Sequence, residues 1–169
     1  SAETFAGDRL LAAATLFSTT PGLKLYGHGQ LEGRRLHVPM LVRRVRPEEP
    51  DKKVAGLYER LLAITKHDVF SQGNWEMKDV FPEGDGTFRQ LIAYRWKLNQ
   101  TLKLIVVNLS GDRAQGRIPL RNEEMGDGDY AVLDELNYRE YRRTGSEMMN
   151  PGLYVRLEGF HAHVFDVAR

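Results

Sequence analysis

TFRQLIAYRWKLNQTLKLIVVNLS, residues 87–110, joins two patterns of period two through a pair of polar residues. In its first half Phe88, Ile92, Tyr94, Trp96 and Leu98 fall on one face and Arg89, Arg95 and Lys97 on the other, the alternation of a half-buried strand. Only Asn99 and Gln100 separate this run from TLKLIVVNLS, so the spacing predicts a tight hairpin. The second strand is apolar on both faces, Leu102, Leu104 and Val106 against Ile105, Val107 and Leu109, and is expected at the centre of its sheet.

Working toward the C-terminus, short strands are expected near 115–120, 130–136, 138–143, 152–158 and 160–167, separated by turn signals such as GD at 111, GDGD at 126 and NPG at 150. Many short strands with frequent turns predict an antiparallel β-sandwich or barrel. Working toward the N-terminus, the period changes between Lys66 and Ser71. DKKVAGLYERLLAITKHD, residues 51–68, sets Val54, Leu57, Tyr58, Leu61, Leu62 and Ile64 along one helical stripe, with Asp51 as its cap. DRLLAAATLFSTT, residues 8–20, reads as an alanine-rich helix capped near Asp8 and stopped by Pro21 and Gly22. Between the helices, LKLY at 23–26 reads as a strand buried on both faces, followed by the glycine-rich YGHGQLEG and a loop over 34–50 that carries Arg34, Arg35, Arg43, Arg44 and Arg46. Helix, buried strand, loop, helix is the order of a parallel α/β unit.

One strand and two helices cannot complete such a unit. Leaving Leu10, Leu11, Leu16 and Phe17 in water would forfeit about 1.5–3 kcal/mol each. Residues 5–66 are therefore expected to collapse onto the β domain or to pair with a second copy of the chain, forming a homo-oligomer.

Composition bounds the function. The 24 Lys and Arg against 23 Asp and Glu give a net charge of +1, so no field recruits a phosphate backbone or anionic lipid, and neither nucleic acid nor membrane is an expected partner. Cysteine is absent, which removes disulfides, thiolate metal sites and cysteine nucleophiles. No apolar run approaches the ~20 residues of a membrane span, and the N-terminus has no signal-peptide pattern. A cytoplasmic location is the expectation, and Ser1 in place of methionine suggests a processed or cut chain.

The glycines of YGHGQLEG let backbone turn sharply or approach a ligand, and ligand sites of α/β units lie beyond the carboxyl ends of their strands. That placement makes His28, Gln30, Glu32 and Arg34 the candidate binding residues. The adjacent acidic pairs Glu48 and Glu49, Glu123 and Glu124, and Asp134 and Glu135 read as solvated surface. His161 and His163 share a strand face and could chelate a metal, but no third ligand is spaced to join them, so aromatic-like packing is the plainer reading and no metal or cofactor is expected. Trp96 reads as core, whereas Trp75, in the irregular stretch QGNWEM, is the candidate for an exposed sugar-stacking ring.

The order of these parts is similar to the C-terminal portion of the alpha-amylase family of glycoside hydrolases. TTPGLKLYGHGQLEG resembles the family's P-G-x-P-x-x-Y-x-G-x-E segment, the eighth strand of its (β/α)8 barrel, with Leu23 or Lys24 at the second proline and Glu32 one place late, as in a divergent subgroup. Residues 88–109 and 153–167 resemble its C-terminal β-sandwich. The resemblance implies an α+β chain: residues 1–67 the end of a TIM barrel, its last strand and flanking helices, and residues 68–169 a Greek-key antiparallel β-sandwich. It also implies a parent enzyme acting on α-glucans or related oligosaccharides by retaining hydrolysis or transfer. The family's nucleophilic aspartate, acid/base glutamate and Asn-His-Asp aspartate belong to earlier barrel strands, and no Asn-His-Asp occurs here. The chain by itself is expected to be inactive, with a structural role and no catalytic residue, contacting oligo- or polysaccharide only through the full-length protein. The competing expectation is a non-catalytic carbohydrate-binding or protein-interaction β-sandwich module. A third, a free-standing metal-dependent enzyme, would rest on His161 and His163.

Overall fold

A computed structural model of the chain describes residues 9–34, 48–121 and 125–169. The Asp8 cap, the loop arginines 35, 43, 44 and 46, and the Glu123–Glu124 pair lie outside the described residues.

Among the described residues three helices come first: α1 Arg9–Thr19, α2 Lys52–Thr65 and the single turn α3 Val69–Gln72. Eight strands follow: β1 Asn74–Lys78, β2 Leu91–Leu98, β3 Thr101–Asn108, β4 Ala114–Ile118, β5 Asp129–Asp134, β6 Arg139–Thr144, β7 Leu153–Leu157 and β8 Ala162–Ala168. They make a six-stranded sheet in the order β1-β2-β3-β8-β5-β6 and a two-stranded sheet of β4 and β7, every pairing antiparallel. Two facing antiparallel sheets are compatible with a β-sandwich. The hairpin closes on Leu98 opposite Thr101, and Asn99 takes the left-handed φ of 52° that such a turn needs.

The double-faced reading of β3 holds. Leu102, Leu104 and Val106 enter the core between the sheets with Ile118, Val132, Val155 and Phe165. Ile105 and Val107 enter a second core with Tyr58, Leu61, Ile64 and Ala12 and Ala14 of α1. The helices therefore pack on the outer face of the large sheet, the first of the two fates expected for their apolar side chains. Leu109, expected on that face, is instead nearly half exposed, past the strand's end.

Two side chains from β2 tie α1 to the sheet. Trp96 Nε1 donates to the Thr19 carbonyl at 2.7 Å, and the Tyr94 hydroxyl meets Thr19 Oγ1 at 2.6 Å, both buried. Trp75 is not a free platform. It sits on β1, a strand absent from the sequence expectation, opposite Trp96 and 5.9 Å from the Tyr94 ring, with a buried indole N–H.

LKLY is not a strand. Residues 23–27 join no sheet, and Leu23 and Leu25 are 98% and 84% exposed. Tyr26 turns inward, edge-on to Phe17 of α1 and Tyr58 of α2 at 5.2 and 6.0 Å. A strand buried on both faces needs partners on both edges, and the described residues supply none.

The Asp134–Glu135 pair is not solvated surface either. Asp134 is fully buried at the end of β5. Its carboxylate accepts from His163 Nδ1 at 2.6 Å, from Asn137 Nδ2 at 2.6 Å and from the backbone N–H groups of Leu136, Asn137 and Val164 at 3.2–3.3 Å. Glu135 pairs with the buried Lys103 ammonium at 2.9 Å, which Asp166 also reaches at 3.2 Å. A charge so deep persists because donors surround it.

Two outcomes follow. Asp134→Asn, which replaces an acceptor of five hydrogen bonds with a partial donor, is expected to destabilise the chain by about 2–4 kcal/mol in urea unfolding. Burial raises the Tyr94 phenol to about 12, so its neutral form is favoured in the folded state. The associated stability is fully present below the ordinary tyrosine value near 10 and is lost as pH rises from there toward 12. Tyr94→Phe is expected to lower stability at pH 7 by about 1 kcal/mol and to flatten that alkaline decline, read as urea midpoints against pH.

Candidate functional site

The glycine-rich turn is built against the start of α2. Backbone bonds fold it on itself, Gln30 N to Gly27 O at 3.1 Å, Gly33 N to Gln30 O at 3.2 Å and Arg34 N to Gly29 O at 2.9 Å, and Asp51 N donates to Glu32 O at 2.8 Å. Asp51 then caps α2, its carboxylate accepting from Lys53 N and Val54 N at 2.9 and 3.3 Å. Gly33 has φ +68°, and a Cβ there would fall 2.8 Å from the Val54 Cβ. Gly29 has φ +73° and lies as close to the Arg34 side chain. The turn thus needs its glycines for a left-handed backbone and for close approach to α2, whether or not a ligand is near.

His28, Gln30, Glu32 and Arg34 share this turn but do not converge as free groups. Gln30 is committed at both ends, its Oε1 accepting from Gly27 N at 3.0 Å and its Nε2 donating to the Tyr58 hydroxyl at 3.1 Å. Arg34 has its Nε buried without a hydrogen-bond partner among the described residues. Glu32 is half-buried, and its described role is through its carbonyl. His28 is exposed. Close by, Lys24 reaches back to cap α1 through the carbonyls of Thr20 and Gly22, and partial burial lowers its ammonium pKa.

Acid/base chemistry on a glycoside needs one carboxyl held protonated by its surroundings. Among the described carboxylates with a resolved shift, both move the other way. Glu83 is held low by the hydrogen bond from the Arg117 guanidinium, and Asp85 by the hydroxyl and backbone N–H of Thr87. Asp134, which sequence spacing could not single out, is saturated with donors.

His161 and His163 do not act as a pair. His161 is exposed before β8 begins, whereas His163 is locked on Asp134 and stacks on Phe165 with ring centres 4.7 Å apart. No group of three or more metal-ligating side chains forms among the described residues. No helix among them is long and apolar enough to cross a membrane.

No protein-family model matches the chain, and no curated protein matches it. Solved structures do. A maltogenic alpha-amylase from Thermotoga neapolitana superposes with a TM-score of 0.76 at 14% identity, over 99% of this chain and 38% of that one. An alpha-amylase from Anoxybacillus follows at 0.68 and 16%, over 95% of this chain and 32% of that one. The alpha-amylase of Geobacillus thermoleovorans, in a complex with acarbose, gives 0.69 and 13%, over 96% and 33%. Identities this low establish fold alone: the chain is built like a portion, between 32% and 38%, of an alpha-amylase polypeptide.

Proposed function

We propose that the chain is the closing part of an alpha-amylase-type glycoside hydrolase. Residues 1–67 are its last barrel strand and flanking helices, and residues 68–169 are its C-terminal Greek-key β domain. The segment at 23–27 carries this reading. It has the apolar content of a barrel strand, it anchors Tyr26 between two helices, and it turns Leu23 and Leu25, 98% and 84% exposed, toward water. Two leucines held open beside a rigid support are explained by a neighbouring parallel strand and a barrel interior that cover them, since burial of each is worth about 1.5–3 kcal/mol.

In that arrangement the parent enzyme acts on α-glucans or related oligosaccharides by retaining hydrolysis or transfer. Relatives of the fold have been seen with acarbose, maltotriose and maltose. The chemistry belongs to carboxylates on earlier barrel strands, and the present residues back the barrel. β3 presents Ile105 and Val107 to α1 and α2, so the β domain fixes the helices that in turn hold the 23–27 segment. His28, Gln30, Glu32 and Arg34 would form the strand's exit turn, and the exposure of His28 supports it as the sugar-contacting candidate among them.

Reducing-end assays on amylose are expected to stay at the blank for the 169-residue chain and to rise for a polypeptide extended upstream through an Asn-His-Asp motif. Hydrolysis by the chain alone, or an upstream sequence without three catalytic carboxylates, would refute the reading. The uncovered leucines are further expected to make the isolated chain self-associate. Light scattering should show mass rising with concentration, and Leu23→Ser with Leu25→Ser should return a monomer; a wild-type monomer throughout counts against uncovered barrel surface.

A further inference from the structure

The open edge of the two-sheet layer carries a feature that barrel support does not use. β6 is the last strand of the large sheet and β7 belongs to the small one, so one side of the layer ends between them. Two adjoining cavities of about 380 and 470 Å3 open there, and both are lined by Arg139, Arg156 and His163.

The arginines around this mouth differ in their commitments. Arg142 lies 3.7 Å from Glu140, and Arg143 lies 3.9 Å from Glu147 and over the Tyr141 ring. Arg139 and Arg156 are exposed and have no described acceptor for their guanidinium groups. Glu158, the carboxylate lining the second cavity, is paired with Arg113 at 3.0 Å. Arg139 and Arg156 therefore flank the mouth as two forked donors with no ion-pair partner of their own among the described residues, and a guanidinium fork matches an oxyanion.

His163 is set in the same mouth with a fixed orientation. Its Nδ1 is engaged by the buried Asp134 at 2.6 Å, which leaves Nε2 as the free ring nitrogen. Tyr141, Tyr154 and Phe165 line the first cavity beside it, and the Tyr154 hydroxyl is steadied by Gln115 Oε1 at 2.9 Å. Aromatic walls beside one polar nitrogen suit a flat or chair-shaped polar ring.

We propose that this mouth is a binding site for a phosphomonoester on a six-membered polyhydroxy ring, the phosphate held by Arg139 and Arg156 and the ring set between His163 and the tyrosines. The site is independent of the barrel-end assignment, because neither cavity includes residues 9–34. The competing explanation is that arginines on edge strands only keep those edges from pairing with other chains.

An amide NMR titration of the 169-residue chain with glucose 6-phosphate, inorganic phosphate and glucose separates these. Saturable shifts confined to residues near 139, 156 and 163 are expected with glucose 6-phosphate, at affinity several-fold above that of either probe alone. Arg139→Gln combined with Arg156→Gln should weaken binding at least about tenfold with an unchanged circular dichroism spectrum. No saturable shift up to about 20 mM, well above a millimolar constant, would overturn the site, as would shifts centred elsewhere. Equal affinity for inorganic phosphate would overturn the ring-reading walls, and equal affinity for glucose would overturn the arginine grip. Should the double variant fail to fold, the location of the wild-type shifts decides alone.

Discussion

The burial of β3 on both faces is the constraint from which the other parts take their places. A strand whose two faces are both apolar is stable only between two layers. The small sheet covers Leu102, Leu104 and Val106, and the helices cover Ile105 and Val107. The polar exception confirms the logic. Lys103 is 2% exposed on the same strand and survives there because Glu135 and Asp166 face its ammonium from neighbouring segments. Neighbouring strands inherit their roles, with β2 sending Tyr94 and Trp96 outward to the end of α1.

The sequence discloses these layers unevenly, for physical reasons. The hairpin and the central strand are legible because their period is strict and their turn has two residues, and α2 is legible because its apolar stripe is unbroken. The later strands agree with expectation to within about two residues, since Gly, Asp and Pro mark their ends. β1 escapes notice because NWEMK mixes one large apolar ring with charges, and its place comes from the register with β2 rather than from its own pattern. LKLY fails in the opposite sense. Its local pattern is that of a buried strand, but pairing is a property of neighbours, and the described chain has none for it.

Site chemistry is less legible still. Glycines in YGHGQLEG read equally well as a ligand lip and as a tight turn, and only the approach of Gly33 to Val54 shows how much of that freedom packing already requires. Asp134 looks like any acidic residue beside another, yet it organises the end of β5 by accepting from groups as distant in sequence as His163 and Val164. Long-range acceptors of this kind leave no local period. The fold likeness to alpha-amylases fits the layers, and the 23–27 segment bears most directly on the proposed barrel edge.

Hydrogen exchange at the amides of residues 23–26 tests the barrel-edge reading at its source. In the isolated 169-residue chain these amides should exchange at nearly the rate of unstructured backbone, while those of β3 are strongly protected. In a polypeptide extended upstream by the preceding barrel strands the same amides should gain protection approaching that of β3. Protection already present in the isolated monomer, or no gain on extension, would show that the segment is not an unpartnered barrel strand.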